Sequence, residues 1–125
     1  THQSYQHTQA TVAIQDMADK MRANKNGARD ANYSIPAYTN APPSMTVDCA
    51  IAACTPLDTA AYDMNTWMTY LTGNQMLGPT AQAQILVQGN VTNAAGGIVG
   101  RQYQIGVRWM ESDLTRSQTM TVEAP

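Results

Sequence analysis

The sequence predicts an α+β fold with its helices first and its sheet last, on three observations. Ile14, Met17, Ala18 and Met21 recur at i, i+3, i+4 and i+7, which predicts an N-terminal amphipathic helix. The segment TPLDTAAYDMNTWMTYLTG, residues 55–73, predicts a second helix after a loop bracketed by two cysteines. From residue 83 onward the segments read as strands, which predicts a three- to four-stranded antiparallel sheet with one buried face to receive both helices.

The first helix sets Gln15, Asp16, Asp19, Lys20 and Arg22 away from its apolar stripe. Lys20, Arg22 and Lys25 crowd its last turn, where cations suit the negative end of the dipole, and Gly27 is expected to supply the left-handed residue that stops it. Its start is less defined. The pattern fades through Ala10 and Gln9 into Ser4, Tyr5 and Gln6 without a capping residue, so the helix is expected to continue upstream of Thr1.

Residues 29–48 hold Pro36, Pro42 and Pro43 among Asn, Ser, Thr and Tyr, and read as an irregular loop with one short extended piece. Long loops of this kind often carry function. Cys49 and Cys54 follow in CAIAAC. They suit a disulfide, with two structural free thiols as the alternative. A metal or redox site fits poorly, because with only two thiols both histidines, His2 and His7, lie in an end expected to fray, and the spacing is not C-x-x-C. Closing so short a loop stabilises by about 2 kcal/mol in the chain-entropy account and implies an oxidising compartment.

The second helix is the best specified. Thr55 is the expected N-cap, Pro56 takes the first helical position and Asp58 completes a capping box. Leu57, Ala60, Ala61, Met64, Trp67, Met68 and Leu71 form its apolar face, and Gly73 closes it. The strands are AQILVQGNVTN, then RQYQIGVRWM after a turn AAGGIVG, then SQTMTVEA. Tyr103, Ile105, Val107 and Trp109 alternate with polar neighbours, as do Met120 and Val122.

Composition limits the function. A chain of 125 residues that is 43% hydrophobic suits one domain, which buries roughly two-thirds of its unfolded surface. A net charge of -2 with 13% charged residues offers no global attraction to nucleic acid or anionic membrane. The polar, weakly charged composition is that of secreted and envelope proteins. Phe is absent and Met occurs eight times, so thioethers are expected to fill the core where rings would otherwise pack.

Chemistry is sparse. Nucleophilic catalysis needs a histidine held in the fold, and both histidines fall within the first seven residues. Asp58 with Asp63, or Glu111 with Asp113, could serve as carboxylate pairs for glycoside hydrolysis. The simpler assignments are a helix cap, a polar helix side and the flanks of a β-turn. GGIVG, residues 96–100, lacks the Lys and helix of a phosphate loop and reads as a hairpin turn. No enzyme and no cofactor are therefore expected. Lys20, Arg22, Lys25 and Arg29 place four of the seven cations within ten residues, enough for a few phosphate contacts, but Asp16, Asp19 and Asp30 lie among them.

Ala18-Asp19-Lys20-Met21-Arg22-Ala23-Asn24 resembles the LAERMRAN segment of type IV pilus minor pilins of the PilV kind, with Asp for Glu and Lys for Arg. Cys49 and Cys54 match that family's cysteine pair. Ala60-Ala61-Tyr62-Asp63-Met64-Asn65-Thr66-Trp67 is similar to its AAxDLxxW helix, and Tyr103-x-Ile105-x-Val107-Arg108-Trp109 resembles its YxVxVRW strand. These matches occur in the family's order from residue 9 to residue 111. Two features depart from the pattern. The leader and apolar half-helix, with a Glu at the fifth mature position, are missing, and QMLGP replaces a Gly-rich turn.

The resemblance implies a single pilin-like domain over 1–125, with 1–26 the C-terminal half of a long helix and 27–125 the headgroup. It implies assembly rather than catalysis: contacts with other minor pilins and the major pilin, and display of an adhesin, in a tip complex that primes pilus assembly. The expected location is the bacterial envelope, inner-membrane anchored through the missing half-helix with a periplasmic headgroup, then the pilus tip. Contact candidates are Asp16, Asp19, Arg22 and Arg29, with Tyr33 and Tyr38 of the Pro-rich loop, since exposed Tyr and Arg are common interface anchors. The two tyrosines would equally serve to cover the sheet edge. Met17 and Met21 are assigned to the core. The alternatives are a minor pseudopilin of a type II secretion system, which shares the architecture, a DNA-uptake pilin using the cations at 20–29, and a stand-alone periplasmic binding module.

Overall fold

The computed structural model describes residues 2–73 and 76–125. In chain order the elements are α1 (His2–Ala23), α2 (Lys25–Arg29), β1 (Ile35–Thr39), α3 (Pro56–Leu71), β2 (Gln82–Thr92), β3 (Ile98–Glu111) and β4 (Leu114–Ala124). The strands form one antiparallel sheet in the order β1-β2-β3-β4. This is the α+β, type IV pilin-like arrangement expected: helix, disulfide loop, helix, sheet.

The helical period of α1 puts Ala10, Ala13, Ile14, Met17, Ala18 and Met21 on the buried side, none more than 2% exposed. Those side chains meet Tyr103, Ile105, Val107 and Trp109, which alternate along β3 and are equally buried. Each large apolar side chain so buried contributes about 1.5–3 kcal/mol, far more than the surface ion pairs of α1 can. α3 begins at the expected capping box, with Asp58 N–H donating to Thr55 Oγ1 at 3.1 Å and Thr55 N–H to Asp58 Oδ2 at 3.4 Å. Its closest backbone approaches are to α1 and α2 rather than to a strand, and Trp67 Nε1 donates to the Ala13 carbonyl at 2.8 Å. Five of the eight methionines (Met17, Met21, Met64, Met68 and Met76) lie in the core among these elements.

The structure corrects several local expectations. α1 stops at Asn24, and Gly27 is not a left-handed stop but a buried residue inside α2. A Cβ there would run into Asn24 Nδ2 and sit 3.0 Å from the Pro56 carbonyl oxygen, so close packing favours this glycine. The left-handed residue is Ala31, at φ 59°. α3 ends at Leu71 with Thr72 as C-cap, and Leu57 is 60% exposed. The β2–β3 turn is shorter than expected, since Ile98, Val99 and Gly100 belong to β3. His7 is not frayed: its ring meets Trp109 edge-on at 5.1 Å, and its Nδ1 lies 3.1 Å from Gln118 Oε1.

Candidate assembly surface

The outer side of α1 exposes Asp16, Asp19 and Arg22, together with Tyr5 and Val12. Arg22 Nη1 lies 3.6 Å from Asp19 Oδ1 one turn earlier, an exposed pair that adds little stability. Its Nε donates to the Glu123 carbonyl at 3.2 Å and so ties the end of α1 to β4. Asp16 borders a notch of about 150 Å³ between α1 and α3, also lined by Lys20, Thr66, Trp67 and Tyr70. Arg29 sits apart on α2. Its Nε faces Asp30 Oδ1 at 3.4 Å, and its carbonyl accepts from Arg101 Nε at 2.7 Å.

The two tyrosines of the Pro-rich loop part company. Tyr33 is fully buried and cannot be an exposed anchor. Its phenol donates to Asp63 Oδ2 at 2.5 Å and accepts from Asn24 Nδ2 at 3.2 Å. Burial, then the Asp63 bond, pushes its pKa far above the ordinary phenol value, and burial likewise raises the Asp63 carboxyl. The edge of its ring meets Tyr103, whose phenol burial pushes up to about 12 and whose hydroxyl donates to the Ala28 carbonyl at 2.6 Å. Tyr38 is half-buried on the opposite sheet face. The Arg108 guanidinium lies 4.3 Å from its ring centroid, and Gly106 leaves room for its hydroxyl. Arg108 Nε is held by Gln82 Oε1 at 2.6 Å.

The four cations at 20–29 do not form one stripe. Lys20 and Arg22 are two residues apart, about 200° around the helix, so one faces the α3 side and the other β4. Lys25 and Arg29 then belong to α2. Phosphate contacts along a shared backbone track would need them on a common face.

Cys49 and Cys54 are joined in a disulfide with Cα atoms 5.7 Å apart. The bridge closes the turn entering α3 and holds Ile51 out at 84% exposure. The carboxylates weighed for catalysis serve the fold: Asp58 caps α3 and Asp63 receives Tyr33, while Glu111 ends β3 and Asp113 lies within the β3–β4 turn.

Sequence reasoning missed two features. Tyr38 and Arg108 come together across β2, a contact that no local pattern signals. The second is the outer edge of β4, where Thr115, Ser117, Thr119 and Thr121 are exposed with neither Pro nor Lys among them. The alternation was readable there, but the strand's position at the sheet edge was not.

Among known families, the one described as Type IV pilin Tt1218 matches residues 1–65, which span α1, α2, β1, the disulfide loop and the first part of α3. No curated protein and no solved structure matches the chain. The match covers just over half of the chain, and the helix, disulfide, helix and antiparallel sheet follow in the pilin order. The protein belongs to the type IV pilin family.

Proposed function

We propose that this pilin is a minor subunit of the PilV kind, which joins other minor pilins in a complex that primes assembly of the major pilin. A pilin acts by packing against neighbours in the cell envelope and pilus, not by chemistry. The observation that carries the minor-subunit reading is the run of likenesses from Ala18–Asn24 through the cysteine pair and α3 to Tyr103–Trp109, each on a matching element of the fold. Asp16, Asp19 and Arg22 on the open side of α1, Arg29 on α2 and Tyr38 on the outer sheet face are the proposed contacts. Tyr33 is withdrawn from that set by its burial. The headgroup is periplasmic before assembly, anchored through a half-helix upstream, and stands at the pilus tip afterwards. An adhesin is a proposed further partner.

Deletion of the gene in the source cells tests the class. Loss of surface pili with protein secretion unchanged supports the minor pilin. Loss of secretion with pili intact supports the pseudopilin of a type II system instead. A pairwise two-hybrid screen against sibling minor pilins should then give interactions that Asp16→Lys with Asp19→Lys abolishes. Interactions indifferent to that pair would remove the α1 surface from the proposal.

A further inference from the structure

The outer face of the sheet, opposite the helices, holds a cavity of about 220 Å³ towards the β3–β4 turn, with Thr80, Gln82, Arg108, Met110 and Thr115 in its wall. Arg108 and Met110 reach this face because they alternate with Val107 and Trp109, which enter the core. The pairs Gln82↔Arg108 and Met110↔Thr115 bring the side chains of β2 and β4 alongside them.

Arg108 is half-buried and held from two sides. Its guanidinium lies over the Tyr38 ring at 4.3 Å from the centroid, and its Nε donates to Gln82 Oε1 at 2.6 Å. Both Nη groups are left over, since among the described residues they make no hydrogen bond and no ion pair. No Asp or Glu lines the cavity: Glu111 belongs to the core face with Trp109, and Asp113 lies in the turn beyond. A guanidinium fixed in place with donors unused is the planar fork that a carboxylate accepts.

The remaining groups indicate what that carboxylate is attached to. Thr80 Oγ1 accepts from Met110 N–H at 3.3 Å, so its own hydrogen is free to donate. Thr115 Oγ1 gives its hydrogen to Met110 Sδ at 3.3 Å, so its lone pairs are free to accept. Gln82 spends Oε1 on Arg108 and keeps its Nε2 amide as a donor. Met110, 41% exposed, adds an apolar patch. The cavity is smaller than the roughly 300–1,000 Å³ of drug-sized sites and suits one sugar ring, whose hydroxyls both donate and accept and whose C–H face is apolar. The acidic tip of a protein side chain would engage Arg108 and leave Thr80, Thr115 and the Gln82 amide to water.

We propose that this cavity binds a sugar acid of the hexuronate class, with its carboxylate on the Arg108 Nη groups and its hydroxyls on Thr80, Thr115 and Gln82 Nε2. Tyr38 and Gln82 Oε1 position Arg108 for it. The inference stands apart from the minor-pilin proposal, since it rests on the outer sheet face and its test uses no other pilin.

The whole protein is titrated with methyl β-D-glucuronide and followed by NMR. Saturable shifts of the Thr80, Met110 and Thr115 amides and of the Gln82 side-chain amide are expected, with a Kd of about 1 mM, ordinary for a ligand of this size. Methyl β-D-glucoside, which lacks the carboxylate, and acetate, which lacks the ring, should each bind about tenfold or more weakly. A short blocked peptide with one Asp should bind no better than acetate. Arg108→Gln should abolish binding. Thr115→Val, which leaves Arg108 and both its supports in place, should weaken the glucuronide and leave acetate unchanged. Unmoved cavity amides at about ten times the expected Kd would overturn the proposal. Glucoside that binds as well as glucuronide, or an Arg108→Gln variant that binds like the parent, would remove the carboxylate site. Acetate or the Asp peptide binding as tightly as the glucuronide would overturn the sugar-acid class.

Discussion

The phenol of Tyr33 donates to the Asp63 carboxylate at 2.5 Å across thirty positions of sequence, and it joins the start of the Pro-rich loop to the middle of α3. Asn24 completes the junction, donating through Nδ2 to the same phenol and to the Pro56 carbonyl at 2.9 Å. The end of α1, the loop and the first two turns of α3 are thereby held together.

Removing the hydroxyl should loosen this junction. Tyr33→Phe keeps the ring packed but leaves Asp63 without its donor, at an expected loss of about 1–3 kcal/mol. Urea denaturation should show a lower midpoint at an unchanged slope. A variant as stable as the parent would mean that the bond contributes nothing.

Asp63 also sets a pH dependence. Burial raises its pKa above the ordinary 3.8, against the lowering effects of the Tyr33 bond and of Lys20. The folded state therefore takes up its proton before the unfolded state does as pH falls. Charged Asp63 opposes folding above its folded-state pKa, and that opposition is relieved on acidification towards 3.8. The stability of the parent relative to Asp63→Asn should accordingly rise as pH falls through this window. Parallel unfolding curves for the two proteins across the acidic range would contradict the raised carboxyl.

Two glycines of β3 should respond differently to alanine. At Gly100 a Cβ would meet backbone, the Ala124 carbonyl oxygen at a separation no real contact shows. Gly100→Ala should cost about 1–3 kcal/mol through displacement of the end of β4. At Gly106 the nearest atom is the Tyr38 hydroxyl, the far end of a side chain that can swing away. Gly106→Ala should lose the Tyr38–Arg108 stack and less than about 1 kcal/mol of stability. Thermal unfolding of both variants ranks them.

The disulfide makes a separable contribution. Replacing both Cys49 and Cys54 by Ala should lower stability by about 2 kcal/mol, and adding reductant to the parent should reproduce that loss. Circular dichroism at the same time should show α3 retained, because the capping box of Thr55 and Asp58 does not depend on the bridge. Loss of α3 on reduction would show that the bridge, not the cap, starts that helix.

Much of the architecture was legible because it is encoded over short spans. The stripe of Ile14, Met17, Ala18 and Met21, the cap at Thr55 and the alternation of Tyr103 to Trp109 each follow from periods and caps within a few residues. Where the expectation failed, a distant partner had overruled the local signal. Gly27 follows a cationic turn as a helix-stopping glycine would, yet its conformation answers to Asn24 and to Pro56 packed against it. Tyr33 lies in a polar, proline-rich loop and reads as exposed until Asp63 is brought to its hydroxyl. His7 stands near the chain end and reads as frayed until Trp109 and Gln118 receive it.

The sequence by itself determined the courses of α1 and α3, the strand-forming runs of the second half of the chain, the apolar sides of α1 and β3, and the capping box at Thr55 and Asp58. It also carried the likeness to pilins, since motifs in a fixed order survive as letters. Only the tertiary structure decided that β4 stands at a sheet edge, that Tyr33 is core while Tyr38 is surface, and that the four cations at 20–29 are divided. Those properties depend on strand order and on contacts between residues far apart in the chain, and such contacts leave no period or spacing in the sequence from which they could be read.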